Sequence, residues 1–276
     1  MPSIVRSRLA RIAWVSYALA LLTGAGWLGV QTSRMTELPL SAILAEGGVW
    51  NVLSNTDFGN VWEVRTLLAA LVAGTLLSES RLRADARVKG VLSMVLAMSL
   101  VASLAFAGHA AAGSDVEGTV HLVADILHLV AAASWLGALF PLAVLLHATA
   151  MKDVELSIEI ARVATLRFSG LGIASVGTLF VTGIVNSWFL LGKIDALIDT
   201  EYGRLLLLKV LLFFAMLSIA AFNRFHLTPR MMQKNDAAPR AALRQLRTNS
   251  VIEAVVGLII LFLVGMLGTL PPGSQE

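Results

Sequence analysis

The residues able to do chemistry are concentrated in one stretch. Of the five histidines, His109, His121 and His128 lie within 108–146, and His147 follows immediately. From Leu122 onward this stretch is hydrophobic, yet it carries Asp125 and His128. An ionisable group at bilayer depth costs about 2.5–3.5 kcal/mol on insertion scales, so its presence is a sign of function. On a helix, His121, Asp125 and His128 fall four and then three residues apart, along one stripe. His121 and His128 are then roughly 10 Å apart along the axis, too far for one small ion to be held by both. They read as two rungs of a ladder that share Asp125. His109 closes the preceding hydrophobic segment, and a short loop over 110–118 would fold it back beside the top of the stripe.

Imidazole and carboxylate suit copper(II), zinc, nickel and iron, whereas thioether selects copper(I). The methionines inside apolar segments are Met94, Met98, Met216 and Met266. Met98 lies eleven residues before His109, roughly 16 Å deeper along the same helix. The candidate metal-ligating set is therefore His109, His121, Asp125, His128 and Met98. A second chemistry is open to the same histidines, because paired histidines from two membrane helices can hold b-type haem. Any single methionine in an apolar span reads first as core packing, and Met98, Met94 or Met216 would form the later steps of a copper(I) path. His147 and His226 read as solvated loop residues.

The elements that position these groups follow from composition. The chain has 276 residues, of which 57% are hydrophobic and 14% charged, with a mean hydropathy of +0.79. That composition belongs to an all-α, polytopic transmembrane helix bundle whose partner is the lipid bilayer. There is no cysteine, so disulfides and thiolate metal sites are excluded. Hydropathy predicts seven spans, at about 12–30, 61–77, 88–107, 120–146, 168–191, 203–222 and 250–270. The first is too long for a signal-peptide core and no small-residue cleavage site follows it, so it reads as a retained span.

Most of the 21 basic residues fall in one set of loops: Arg6, Arg8 and Arg11, Arg81 to Lys89, Lys152 to Arg167, and Arg224 to Arg247. The positive-inside rule then puts the N-terminus in the cytoplasm and the histidine cluster towards the outer face. Topology accounts for the positive charge without a nucleic-acid partner. A short interfacial helix is expected around 40–53, with Trp50 and Trp62 at the headgroup level. Thr56-Asp57-Phe58-Gly59 is echoed by Thr200-Glu201-Tyr202-Gly203, and a basic residue follows each at the same distance, Arg65 and Lys209. Thr23-Gly24 and Thr182-Gly183 precede them by one span, which reads as a parallel internal repeat of spans one and two in five and six. Arg65 and Lys209 would snorkel, pair with nearby carboxylates or repel cations at an entrance. No nucleophile with its base, Walker loop or dinucleotide turn is present, which leaves a transporter favoured over an enzyme and excludes a built-in ATPase.

Gly108-His109-Ala110-Ala111-Ala112, then Asp125 to His128 leading into Ser134-Trp135-Leu136-Gly137, resembles the copper resistance protein D family. So do Arg167-Phe168-Ser169, Thr182-Gly183, Thr200 to Gly203 with Lys209, Asn223-Arg224 and the closing Leu267-Gly268 to Pro271-Pro272. The resemblance treats 1–276 as a single integral membrane domain with its most similar core at about 90–272. It implies a multi-pass protein of the bacterial inner membrane that handles copper ions in homeostasis and resistance. It also implies a separate small periplasmic copper-binding partner of the CopC type. It carries over His109 and His128, while His121 rests on helix geometry. The expected function is a copper permease; a haem-containing membrane oxidoreductase is the alternative.

Overall fold

The computed structural model describes residues 3–78, 83–107, 116–148, 154–231 and 237–271. The described elements are helical: α1 (Ser3–Thr36), α2 (Gly48–Asn55), α3 (Asp57–Leu77), α4 (Arg83–Ala102), α5 (Val116–Ala148), α6 (Val154–Leu191), α7 (Ala196–Asp199), α8 (Glu201–Phe222), α9 (Thr228–Arg230) and α10 (Ala237–Leu267). A 3₁₀ turn covers Ala105–Ala107, and a π-helical turn covers Asn223–Leu227. Seven helical segments are long and apolar enough to span a bilayer: Ser7–Thr36, Asp57–Leu77, Asp85–Ala107, Val116–His147, Ile158–Leu191, Glu201–Arg230 and Ala238–Leu267. Their number is the one expected from hydropathy. Several run past the expected ends, because a helix satisfies its own backbone whether its flanks meet lipid or headgroups. Large apolar side chains such as Leu22, Trp188 and Phe262 point outward, about 70% exposed. In a membrane protein these are the lipid-facing surface.

The chain divides into two compact units, Met1–Leu122 and Val123–Glu276. In the first, α3 packs on α4 and α2 on α1 and α3. Tyr17 donates its hydroxyl to the Ala69 carbonyl at 3.0 Å, tying α1 to α3. Trp27, Phe58 and Trp62 form an aromatic cluster with centroids 5.4–6.3 Å apart. Trp62 thus packs inside the unit, whereas Trp50 is exposed, as suits a headgroup-level residue. The predicted interfacial helix begins at Gly48 rather than near 40. Gly47, at φ 70°, takes the left-handed conformation that separates the turn over 40–47 from α2.

The second unit is built in layers around α5, α6, α8 and α10. Leu191, Tyr202, Leu206 and Leu267 form the layer at one end. Trp135, Ala131, Leu179 and Met216 form the middle layer. Leu142, Leu146, Ala161, Leu227, Met231 and Leu246 form the layer at the other end. Trp135 is 2% exposed and meets Phe213 edge-on at 6.0 Å. Gly172 of α6 borders the indole: a Cβ there would lie 3.7 Å from Trp135 Nε1, in ordinary contact.

Two helix starts are built alike. Thr56 caps α3 by accepting the Gly59 N–H at 3.0 Å, and Thr200 caps α8 by accepting the Gly203 N–H at 2.9 Å. Each glycine is pressed against the short helix before it. A Cβ on Gly59 would sit 2.2 Å from the Leu53 carbonyl oxygen, and one on Gly203 2.0 Å from that of Ala196. The shared Thr-x-x-Gly spacing therefore has a local physical cause.

Candidate metal-handling site

Within the second unit, α5 supplies Asp125 and His128, which are three residues apart and so lie on one face. Facing them, α6 supplies Thr182 and Asn186, four residues apart. His128 Nδ1 lies 2.9 Å from Thr182 Oγ1. Thr182 donates its one hydroxyl hydrogen to the Thr178 carbonyl at 2.7 Å, so towards the imidazole it can only accept. With that hydroxyl hydrogen on Thr178, the pairing suits the His128 tautomer protonated on Nδ1, whose Nε2 carries the lone pair that a metal ion requires. Gly183 borders the ring: a Cβ there would lie 3.7 Å from His128 Cε1, in contact without overlap.

Asn186 donates from Nδ2 to Asp125 Oδ1 at 3.3 Å. Its Oδ1 is buried without a hydrogen-bond partner among the described residues. Lys209, on α8, interacts electrostatically with Asp125 and His128, and Tyr202, seven residues earlier on the same helix, also interacts with Asp125. An imidazole, a carboxylate and a side-chain amide are thus brought together on α5 and α6, with the Lys209 amine of α8 interacting with the first two. Such a set offers borderline and hard donors to a cation.

Of the residues expected from the sequence, Asp125 and His128 share this cluster. His121 lies one turn earlier on α5, half-buried, and Met98 is half-buried on α4 in the first unit. His109 lies outside the described residues. Among the described residues no three His, Asp or Glu side chains converge as a ready metal cage. Met94 is exposed, whereas Met216 is 1% exposed in the middle layer. His147 and His226 are exposed as expected, but on helical turns rather than loops. His147 donates to the Ala143 carbonyl, and His226 stacks on Phe222.

Thr182, Asn186 and Lys209 complete the cluster, and the sequence reading did not place them together. The available signal was Thr182 and Asn186 four apart on one face of an apolar span. Lys209 interacts with Asp125, a carboxylate on another helix, rather than acting only through carboxylates near it in sequence. Arg65 likewise turns inward, donating to Ser103 Oγ at 2.8 Å and lying 5.5 Å from the Trp62 ring centroid and 5.9 Å from that of Trp27.

Comparison with known families adds the decisive observation. Residues 162–267 match the family described as copper resistance protein D, and residues 2–119 match its companion, the copper resistance protein D-like N-terminal domain. The chain belongs to the copper resistance protein D family. It is 28% identical to copper resistance protein D of Pseudomonas syringae pv. tomato, over 92% of this chain and 84% of that protein. It is 29% identical to inner membrane protein YebZ of Escherichia coli (strain K12), over 81% of this chain and 72% of that protein. A third relative, copper transport protein CutJ of Bacillus subtilis (strain 168), is 28% identical over 86% of this chain, which spans 43% of that longer protein. No solved structure matches the chain. Seven apolar helices and these relatives make it a multi-pass protein of the bacterial inner membrane. The haem alternative draws no support from family or relatives.

Proposed function

We propose that this family member is a permease that moves copper across the inner membrane. The observation that carries the reading is the fixed His128 imidazole. Its Nδ1 is held by Thr182, which leaves Nε2 to serve as the ligand, and His128 and Asp125 share one face of an apolar span in a copper-family protein. With the basic loops in the cytoplasm, this end faces the periplasm and receives the ion. His109, His121, Asp125 and His128 form the capture residues, and Met98 forms a later step for copper(I). A small periplasmic copper-binding protein of the CopC type is the natural donor at that face.

Lys209 sets the affinity. An ion must bind well enough to enter and weakly enough to leave. A tethered ammonium beside Asp125 neutralises the site when empty and opposes retention when it is filled. The test is cellular copper content in a strain that depends on this chain, comparing wild type with His128→Ala at matched membrane expression. Copper handling should be lost in the variant; unchanged handling removes His128 from the route.

A further inference from the structure

Helix α8 and the π turn that continues it carry a line of buried or half-buried residues seven positions apart: Tyr202, Lys209, Met216 and Asn223. A spacing of seven returns to nearly the same face after two turns, so the line runs the length of the helix. Its upper members serve the cluster around Asp125. Asn223, at the foot, serves a second polar cluster that the copper reading does not use.

Asn223 begins the π-helical turn Asn223–Leu227. Its Nδ2 donates to Glu253 Oε1 on α10 at 2.6 Å, and its Oδ1 accepts from Asn249 Nδ2 at 2.6 Å. Thr228 Oγ1 donates to the Asn223 carbonyl at 2.9 Å across the wide turn. Glu253 is 1% exposed, and its Oε2 is buried with no hydrogen-bond partner among the described residues. The carboxyl group sits near the start of the apolar run of α10, where an unpaired charge is costly.

The charged groups on the surrounding elements are otherwise engaged or turned away. Arg224, on the π turn, donates to Ser169 Oγ of α6. Arg247, on α10, donates to the Leu146 carbonyl of α5 at 2.8 Å. His226 is exposed and stacked on Phe222, and Arg167 and Arg244 are exposed. Among the described residues no ion pair reaches Glu253. A metal cation at Oε2 would meet an amide turned the wrong way, since Asn223 points its N–H towards the carboxyl and its oxygen towards Asn249.

We infer that Glu253 is a proton-binding site: Oε2 carries a proton in this closed arrangement and exchanges it with water at the basic end of the unit when the π turn opens. Carboxylate and proton combine to carboxylic acid, and the reverse step releases the proton; no other bond changes. π-helical turns inside α-helices are frequent at functional sites, and this one holds the residue that donates to Oε1. The site is distinct from the Asp125 cluster and stands whether or not copper is the cargo.

The test is infrared spectroscopy of the full chain in detergent at neutral pH, in H₂O and D₂O, without copper. Wild type should show a carboxylic-acid C=O band that shifts down in D₂O, is absent in Glu253→Gln and persists in Asp125→Asn. Asn223→Ala, which removes the hydrogen bond to Oε1, should move the band, and this keeps the test open if Glu253→Gln fails to fold. No difference between wild type and Glu253→Gln, a band indifferent to D₂O, or a carboxylate band that responds to sodium would each overturn the inference.

Discussion

Thr182→Val is the most informative single substitution, because valine keeps the shape of threonine and removes only the acceptor for His128 Nδ1–H. The Thr182 oxygen accepts the imidazole proton at 2.9 Å while donating to Thr178, and it is 5% exposed. Leaving a buried N–H without an acceptor costs about 1–3 kcal/mol. The imidazole can relieve that cost by moving its proton to Nε2 or by turning away, and either change withdraws the lone pair offered to the metal. Loss of a group that orients a ligating histidine typically lowers metal affinity about 10–100-fold, equivalent to about 1.4–2.8 kcal/mol, which agrees with the hydrogen-bond figure. Competition with a chromophoric copper(I) chelator on purified protein measures this. Thr182→Val should weaken binding by one to two orders of magnitude, and Thr182→Ser should restore most of it. Nitrogen NMR of the labelled imidazole should show the Nδ1–H tautomer in wild type and its loss in the variant. Unchanged affinity in Thr182→Val, with binding lost in His128→Ala, would refute the tautomer argument while leaving His128 a ligand.

Other consequences can be checked on the same preparations. Lys209→Gln removes the competing ammonium beside Asp125; copper should bind more tightly and leave more slowly, seen as a lower dissociation rate. Gly203→Ala drives a methyl group to 2.0 Å from the Ala196 carbonyl oxygen; the loss should be at least about 1–3 kcal/mol, read as a lowered melting temperature in detergent. Trp135→Ala empties the middle layer around Met216 and Leu179 and should cost about 3–5 kcal/mol by the same measurement. Arg65→Lys keeps the charge but loses the planar contact with Trp27 and Trp62; a loss of about 0.5–2 kcal/mol is expected.

Much of the fold was legible because lipid imposes a simple rule: a span must be apolar and must satisfy its own backbone. That rule gives the number of helices from hydropathy alone. It does not give their ends, which depend on packing. Helix α10 begins at Ala237, well before its apolar run, because Ala242, Leu243 and Leu246 pack against Leu142, Leu146 and Leu227. The same applies to the site. Asp125 and His128 could be placed together because their spacing lies within one helix. Thr182, Asn186 and Lys209 could not, because a single sequence carries no record of which faces of different helices meet. Glu253 was passed over for a related reason. A lone carboxylate in an apolar run is conspicuous, but its meaning depends on Asn223, which approaches from another helix.

In the proposed function copper crosses the membrane by way of His128. Its most direct measurement is uptake of radioactive copper(I) into proteoliposomes holding the purified full chain, for wild type and His128→Ala at equal protein density. Uptake should be saturable in wild type and fall to the level of empty liposomes in His128→Ala. Equal uptake in both, or none above empty liposomes in a wild type that binds copper, would contradict it.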